Sequence, residues 1–255
     1  YAASRKGISS VIQEQNSYPG ITNKLLAKSV QKICVAYDNM ERFFPKEKLI
    51  FTGNPIRKEI LDFSDKREEG KNFFGLHNAR ITVLVVGGSL GAKTINESIN
   101  NNLEEFKKNQ LNLIWQTGVS YENQSKESVK NLNVSSIQSY KFIKEMDLAY
   151  AAADIIVSRA GAIAISELCF VGKPVILVPS PNVAEDHQTQ NAQSLVNKNS
   201  ALMVKDVESR RKLVEEIKSL SENKSLQEEL SRNIKKLAVK DAADRIADLS
   251  LELVK

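Results

Sequence analysis

The sequence predicts an α/β fold in which helices cover parallel sheets, and three observations support this class. Apolar runs of strand length alternate with longer segments of helical pattern over most of the chain. The clearest strands are continuous runs of Val and Ile, as is typical of parallel strands buried on both faces. One of them, 83–86 (VLVV), runs directly into a glycine-rich turn, 87–92 (GGSLGA), that opens a helix. Such alternation predicts a parallel sheet with helices on both sides.

The first 60 residues have the pattern of short strands with one helix between them. A polar triplet, 14–16 (EQN), follows the first strand, and a turn, 18–20 (YPG), comes next. The loop 53–57 (GNPIR) closes this part, because the residue before Pro55 is disfavoured in helical backbone. The predicted strands are 7–13, 32–36 and 49–52, and the predicted helix is 22–30.

The charged, glycine-punctuated segment 64–75 is expected to be a connector, and a regular alternation of strands and helices follows it. The predicted strands of this second part are 81–86, 111–116, 134–139, 154–158, 175–178 and 201–204. The predicted helices are 91–106, 121–132, 144–152, 162–171, 185–198, two within 208–239, and 241–254.

Polar residues gather at the ends of the strands in the unit 153–191, where ligands bind in parallel α/β sheets. They are Arg159, Gly161, Ser166, Glu167, Asp186, His187, Gln188 and Asn191. Glu167 lies early in an otherwise apolar helix, where a carboxylate is costly unless it is paired or faces a cleft. It is therefore either an acceptor for a sugar diol or a solvated residue on the polar side of a half-buried helix.

The turn 87–92 is a candidate phosphate site, because its backbone N–H groups and the helix N-terminus behind them attract anions. Ser89 adds a hydroxyl donor. The turn lacks both the G-x-G-x-x-G spacing of dinucleotide sites and the G-K-[ST] of the P-loop. A nucleotide held without a P-loop lysine indicates a nucleotide that acts as a leaving group. Glycine-rich turns also occur for packing alone, and that alternative stays open.

Composition is that of an ordinary globular protein, at 42% apolar and 26% charged residues in a chain of 255 that suits one or two domains. No apolar run approaches the ~18–20 residues of a membrane span. Cys34 and Cys169 lie in separate apolar contexts, which predicts reduced, buried thiols in a cytosolic protein. With His77 and His187 as the only histidines, we expect no metal site and no cofactor.

The net charge of +5 comes entirely from the first 60 residues, which hold 10 Lys and Arg against 5 Asp and Glu. This excess suits an anionic partner such as a membrane surface or a nucleic acid, or it is a solvated face. The sequence has no aromatic-plus-basic pattern of the kind that stacks on nucleic-acid bases, so we expect no nucleic acid partner.

Five motifs in a fixed order resemble the MurG family, the bacterial undecaprenyldiphospho-muramoylpentapeptide β-N-acetylglucosaminyltransferases. They are 14–16 (EQN) with Pro19-Gly20 and Thr22-Asn23, 53–57 (GNPIR), 87–92 (GGSLGA), 158–162 (SRAGA), and 186–188 (DHQ) with Asn191-Ala192. The resemblance implies the GT-B architecture, two Rossmann-like domains with parallel sheets that face a cleft, the first only partly present. Residues 1–62 would be the C-terminal part of the first domain, 63–240 the UDP-GlcNAc-binding domain, and 241–255 a helix that returns to the first domain.

The implied reaction is the inverting transfer of N-acetylglucosamine from UDP-GlcNAc to undecaprenyl-pyrophosphoryl-MurNAc-pentapeptide (lipid I), which gives lipid II in peptidoglycan synthesis. The resemblance also implies no metal and a peripheral location on the cytoplasmic side of the inner membrane, against an anionic surface. Lys24, Lys28 and Lys32 beside Leu25 and Leu26 are the candidate membrane-facing edge.

The resemblance assigns donor binding to specific residues of this chain. Arg57 would lie near the phosphates, Glu167 on the ribose hydroxyls, and the Ile143 backbone on the uracil. The full set is Asn16, Arg57, Ser89, Ile143, Ala162, Ile163, Ala164, Ile165, Ser166, Glu167, His187 and Gln188, with Gly87, Gly88 and Gly91 in the phosphate loop. Asn16 as a cap of the turn at Pro19, and Ile143 as a core residue, remain as alternatives.

The chain lacks the family's glycine-rich G-G-T-G-G-H loop, whose histidine is a candidate base, so the catalytic residue stays unknown. About the first hundred residues of the family's first domain have no match here, and we expect this chain alone to bind the donor weakly and to be inactive. Two other functions stay open. One is another GT-B glycolipid glycosyltransferase, and the other is a non-catalytic nucleotide-sugar-binding module.

Overall fold

A computed structural model describes residues 1–76 and 80–253, and its strands form two parallel sheets. The first sheet contains Val11–Glu14 (β1), Lys32–Val35 (β2) and Leu49–Phe51 (β3), in the order β1-β2-β3. The second sheet contains Thr82–Val86 (β4), Asn112–Gln116 (β5), Ile137–Tyr140 (β6), Ile155–Ser158 (β7), Val175–Leu177 (β8) and Leu202–Met203 (β9). The predicted α/β class with parallel sheets is confirmed.

Twelve α-helices lie in the described ranges, and short 3₁₀ turns supplement them. The helices before β7 are Ala2–Arg5 (α1), Ile21–Leu26 (α2), Arg67–Phe73 (α3), Lys93–Asn100 (α4), Leu103–Lys108 (α5), Glu122–Leu132 (α6) and Met146–Ala152 (α7). Those after it are Ala162–Val171 (α8), His187–Val196 (α9), Ser209–Glu222 (α10), Lys224–Lys235 (α11) and Ala242–Glu252 (α12).

The strand order of the second sheet, β6-β5-β4-β7-β8-β9, places a topological switch between β4 and β7. From β4 the chain moves outward through β5 and β6, and it then returns to the other side of β4 to add β7. Connections that leave a sheet in opposite directions open a crevice at the carboxyl ends of those two strands. The turn 87–92 follows β4 and the segment 159–161 follows β7, so both lie at this crevice.

The core lies on both faces of the second sheet, as the alternation of side chains in a strand requires. Leu84 and Ile114 point to the face covered by α7, α8 and α9. Val83, Trp115 and Val157 point to the other face, covered by α4, α5 and α10. Each such fully buried side chain contributes about 1.5–3 kcal/mol of transfer free energy.

The connector predicted at 64–75 is wrong, because this segment forms α3 and packs tightly against α7. Gly70 is the reason that the two helices approach so closely: a Cβ there would lie 2.4 Å from the carbonyl oxygen of Leu148. Phe74 at the end of α3 is 2% exposed. The charged residues that made the segment resemble a linker take part in the packing, since Lys66 pairs with Asp147, Arg67 pairs with Asp154, and Lys71 is 2% exposed.

Two further elements differ from the prediction for local reasons. The helix predicted at 91–106 is broken into α4 and α5, and the Asn102 side chain donates to the carbonyl of Ser98 at the break (2.8 Å). Asparagine competes for backbone groups in this way and disfavours helix interiors. The strand predicted at 7–13 begins only at Val11, since Gly7 has a φ of 69° and ends α1.

The remaining elements match the prediction to within a few residues at their ends. The two helices predicted within 208–239 are α10 and α11, separated at Asn223, whose side chain caps α11 by accepting from the N–H of Leu226 (3.0 Å). The last predicted helix corresponds to α12, and its residue 254 lies outside the described residues.

Candidate functional site

The loops at the carboxyl ends of the two sheets meet in one region, which we call the cleft. Loops after β1 and β3 supply Asn16, Ser17, Asn54 and Arg57, and these side chains bond to residues of α8 and α9. The two sheets are therefore joined at the cleft by polar side chains.

Glu167 is held by two groups from different parts of the fold. Arg57 donates from Nε to Oε1 (2.6 Å) and from Nη2 to Oε2 (2.8 Å), a bidentate pair. The hydroxyl of Tyr150, on α7, donates to Oε2 (3.2 Å). Glu167 is only 3% exposed, so the alternative of a solvated residue on the polar side of α8 is wrong.

The electrostatics of this group follow from its burial and pairing. Burial raises the pKa of Tyr150, and the neighbouring Glu167 charge raises it further, so the phenol stays protonated and acts as a donor. The hydrogen bond to Glu167 is the main reason that the pKa of Arg57 lies above its ordinary value. A carboxylate offers about four lone-pair sites, and Arg57 and Tyr150 fill about three of those on Glu167.

Glu14 fixes the loop that presents Asn16. Its Oε1 accepts from the N–H and the side-chain amide of Asn16 (2.9 and 3.3 Å). Its Oε2 accepts from the N–H of Gly20 (3.0 Å) and the amide of Asn23 (2.9 Å). The alternative that Asn16 caps the turn at Pro19 is therefore wrong, because Glu14 holds that turn.

Asn191 is the completely buried amide that joins the two sheets, at 0% exposure. Its Oδ1 accepts from the N–H and the hydroxyl of Ser17 (2.9 and 3.0 Å). Its Nδ2 donates to Oδ1 of Asn16 (3.0 Å) and to the carbonyl of Ala160 (3.3 Å). The sequence singled out Asn191 as polar without giving it a role; its position three residues after Gln188 on α9 was the available signal.

The turn 87–92 has the geometry of a backbone anion site. Gly88 and Gly91 have φ of 87° and 84°, which side-chain-bearing residues rarely adopt. A Cβ on Gly91 would lie 2.2 Å from the carbonyl oxygen of Thr117. No side chain caps the first N–H groups of α4, and Ser89 is exposed on the turn. These N–H groups are left for a ligand.

The N-terminus of α8 is a second uncapped helix start at the crevice. Gly161 occupies the N-cap position, without a side chain to bond the first turn. The N–H of Ile165 bonds within the helix to Gly161 (2.9 Å), which leaves the N–H groups of Ala162, Ile163 and Ala164 without helical partners. Ile165 lies in the core and is 2% exposed, so only its backbone can face a ligand in the crevice.

Ser166 takes part in the contact between the sheets. Its hydroxyl donates to the carbonyl of Ala162 (3.0 Å) and accepts from the amide of Asn54 (3.1 Å). Asn54, which the sequence placed in a motif but not in the site, also donates to the carbonyl of Gln15 (3.0 Å).

Ile143 lies in the loop after β6, and its side chain is part of the core at 2% exposure. Its N–H donates to Oε1 of Gln116 (2.9 Å). A cavity of about 440 Å³ opens beside this loop, and Arg57 and Phe142 are among the residues that line it. The core alternative for the Ile143 side chain is thus correct, while its neighbours Phe142 and Lys144 line the cavity next to Arg57.

His187 and Gln188 begin α9, where the chain turns back toward the crevice. Oε1 of Gln188 accepts from the N–H of Ala160 (3.2 Å) and of Ser180 (2.9 Å), which ties together the loops after β7 and β8. Within the described ranges, Nδ1 of His187 is buried without a hydrogen-bond partner.

Arg159 is structural, although it stood among the polar residues of the sequence. Its guanidinium pairs with Asp206 and donates to the carbonyls of Val178 (3.0 Å) and Pro179 (3.1 Å). It braces the ends of β7 and β8.

Neither a membrane span nor a metal cluster is found in the part of the chain that the structure describes. None of its helices combines the length and apolar character that crossing a membrane requires. Among the same residues, no group of three or more His, Cys, Asp or Glu side chains is placed to hold a metal ion. His77 lies outside the described residues.

The family match, two related sequences and one similar solved structure all point to the same family of glycosyltransferases. Residues 82–246 match the glycosyltransferase family 28 C-terminal domain. The chain is 49% identical over 254 residues to the UDP-N-acetylglucosamine–N-acetylmuramyl-(pentapeptide) pyrophosphoryl-undecaprenol N-acetylglucosamine transferase of Parabacteroides distasonis, covering 100% of this chain and 69% of that protein. It is 51% identical over 253 residues to the transferase of the same name from Cytophaga hutchinsonii, covering 99% and 68%. The crystal structure of Acinetobacter baumannii MurG superposes with a TM-score of 0.79 at 29% identity, covering 97% of this chain and 68% of that one.

Proposed function

Because the chain belongs to glycosyltransferase family 28, and within it to the MurG transferases, we propose that it binds UDP-GlcNAc for transfer of GlcNAc to undecaprenyl-pyrophosphoryl-MurNAc-pentapeptide. One observation carries the assignment of the donor to the crevice. The glycine-rich turn after β4 and the uncapped N-terminus of α8 after β7 open side by side, since Val86 and Ser158 at the strand ends are paired. Glu167 lies one turn further along α8.

The diphosphate would be held by backbone N–H groups. Apart from the N–H of Gly91, which closes the turn, the amides of turn 87–92 and the hydroxyl of Ser89 would line one side of the crevice, and the amides of Ala162, Ile163 and Ala164 would line the other. Fixed donors of this kind stabilise negative charge that develops on a departing UDP, without reorganisation at the moment of reaction. This suits an inverting transfer in which the acceptor hydroxyl attacks and the diphosphate leaves.

Glu167 and Arg57 would divide the nucleoside and phosphates between them. Glu167 has about one lone-pair site open, whereas a ribose diol brings two hydroxyl donors. Binding of the diol therefore requires Arg57 to release at least one carboxylate oxygen. The released guanidinium, on a side chain that is 47% exposed, is free to turn toward the diphosphate.

The donor sugar would meet the first turn of α9. The buried Nδ1 of His187 has no partner within the described residues, and a turn of the imidazole ring would bring it to a sugar hydroxyl. Gln188 uses Oε1 to hold the loops after β7 and β8, so its Nε2 is the group left to donate. Asn16, which Asn191 fixes from the second sheet, would complete the cleft on the first-sheet side.

The membrane-facing edge would be α2 and the residues that follow it. Ile21 and Leu25 are 64% and 76% exposed, and Lys24 and Lys28 stand beside them. Apolar side chains flanked by lysines suit an anionic membrane surface. Leu26 packs against the core of the first sheet instead, so it is not part of this edge. Unchanged liposome binding after charge reversal of Lys24, Lys28 and Lys32 would contradict this assignment.

The proposed domain division is 1–62, 63–240 and a returning helix, 241–255. Two contacts support the return. Val239 packs against Gly53 so closely that a Cβ added to Gly53 would lie 2.8 Å from the Cβ of Val239. On α12, Nη1 of Arg245 lies 3.5 Å from the carbonyl oxygen of Phe51 in β3.

Calorimetric titration of the 255-residue chain with UDP-GlcNAc, UDP-galactose and NAD tests the proposal. We expect binding that is selective for UDP-GlcNAc. Glu167→Ala should weaken it by about 1–3 kcal/mol, since hydrogen bonds to a charged group are lost. Glu127→Ala, at an exposed position on α6, is the control. Equal affinity for the three ligands, or no effect of Glu167→Ala, would remove the donor site from this crevice.

A further inference from the structure

Gln116 is the last residue of β5, and its side chain bonds to two separate loops, one after β4 and one after β6. The residue is 3% exposed. Its Oε1 accepts from the N–H of Ile143, in the loop after β6 (2.9 Å). Its Nε2 donates to the carbonyl of Gly88, in the turn after β4 (3.1 Å). One buried amide thus bridges the loops on either side of its own strand.

We propose that Gln116 is a positioning residue that couples the diphosphate-binding turn 87–92 to the base-binding loop at Ile143. This inference deepens the proposed function and rests on it, because both loops are assigned to the same nucleotide. Gln116 need not touch the donor. It would set the distance and direction between two groups of donor-binding backbone atoms.

The contact with Gly88 explains how a side chain can direct backbone donors. The carbonyl of Gly88 also accepts from the N–H of Gly91 (3.1 Å), the bond that closes the turn. Gly88 has a φ of 87°, so its peptide plane has little support from ordinary backbone preferences. A second donor on the same carbonyl fixes that plane and, with it, the direction of the N–H of Ser89, which belongs to the same peptide group.

The contact with Ile143 works in the same manner. The loop after β6 crosses the strand end at 116–118, where the N–H of Thr117 bonds the carbonyl of Tyr140 (2.8 Å) and that of Gly118 bonds Lys141 (3.1 Å). The Gln116 amide adds the next bond in this series. The end of β5 is consequently in contact with both loops and is bonded to each of them.

A coupling role predicts a specific energetic signature. Each ligand fragment that uses one loop alone can still bind if the two loops shift relative to each other. A ligand that spans both loops loses affinity, because it can no longer fit both at once. A residue needed only for folding would weaken all fragments equally.

The test compares uridine, pyrophosphate and UDP on the wild-type chain, Gln116→Met and Gln116→Glu, by calorimetry or competition. Gln138→Met is the matched control, since Gln138 is on β6 and its side chain donates to the nearby carbonyl of Ser135. For Gln116→Met we expect the affinity for UDP to fall about tenfold, an effect of the size of one hydrogen bond. The affinity for each fragment should fall less than about twofold. Equal weakening of the three ligands, or unchanged UDP affinity, would overturn the proposal.

Hydrogen exchange without ligand keeps this test separate from the proposed function. Gln116→Met should speed exchange in both 87–92 and 141–144. Gln116→Glu keeps the acceptor for Ile143 but places an oxygen against the Gly88 carbonyl, so it should speed exchange in 87–92 alone. A response in neither loop, or the same pattern in both variants, would disprove the bridge. If wild type fails to bind UDP while exchange responds as expected, the bridge stands and the nucleotide assignment falls.

Discussion

Arg57→Ala should change the affinities for uridine and UDP in opposite directions. In the structure Arg57 occupies two of the about three filled acceptor sites of Glu167. If the ribose diol binds Glu167, Arg57 competes with it. If Arg57 then turns to the diphosphate, it assists any ligand that carries one. Uridine tests the first role alone, and UDP tests both.

The magnitudes follow from the exposure of the pair. The Arg57 side chain is 47% exposed and that of Glu167 is 5% exposed, so the pair lies between surface and buried ion pairs. After discounting for solvent screening, its release costs about 1 kcal/mol. Uridine should therefore bind about fivefold more tightly to Arg57→Ala. UDP loses a charged hydrogen bond of about 1.5–3 kcal/mol and regains about 1, so it should bind about 2- to 30-fold more weakly.

Calorimetric titrations of both ligands on wild type and variant measure these changes. Arg211→Ala is the control, since Arg211 is exposed on α10 away from the cleft. Weakening of both ligands would mean that Arg57 orients Glu167 for the ribose instead of competing with it. Tightening of both would mean that Arg57 does not reach the phosphates. Either result refutes the exchange of partners.

Three other predictions concern the turn, the pH dependence and the thiols. Gly91→Ala should abolish UDP binding, because the new Cβ meets the carbonyl of Thr117 and the φ of 84° is strained; a calorimetric isotherm like that of wild type would contradict this. Burial raises the pKa of Asp147, but its bonds to Lys66 and to backbone N–H groups leave it below the ordinary value. The contribution of Asp147 to the free energy of unfolding is thus present above its unfolded pKa of about 4, and it is lost as pH falls through the lower pKa of the folded state. In urea titrations the Lys66→Met variant should therefore be less stable than wild type at pH 7 and equally stable in strong acid. Burial raises the pKa of Cys169 to about 12, so at pH 8 its thiol should react with a disulfide reagent only after unfolding, and prompt labelling of the native chain would refute this.

Local pattern was sufficient for much of the second sheet. The helix α8 has the predicted ends, because Gly161 and Gly172 mark them: Gly172 has a φ of 66° and terminates the helix in the left-handed region. The strands β4 and β7 were evident from their Val and Ile runs. These features depend on residues within a few positions of each other.

Contacts at the cleft could not be predicted in the same way, because their partners are far apart in sequence. Asn191 bonds Ser17 across 174 positions, and Asn54 bonds Ser166 across 112. Neither periodicity nor propensity specifies such a pair. The prediction of a connector at 64–75 was wrong for a related reason. Gly70 allows α3 to approach α7 closely, and this partner helix lies far along the sequence.

Two buried glutamates illustrate what the structure adds to the sequence. Glu14 and Glu167 are each 3% exposed; Glu14 is the last residue of β1, and Glu167 lies in the middle of the mostly apolar helix α8. Glu14 accepts four hydrogen bonds, two on each oxygen, and so has no lone-pair site left for a ligand. Glu167 accepts three, two of them from an arginine whose side chain is half exposed and able to leave. The first carboxylate is therefore a structural anchor for the loop of Asn16, whereas the second has the open site that the proposed exchange of Arg57 for a sugar diol requires.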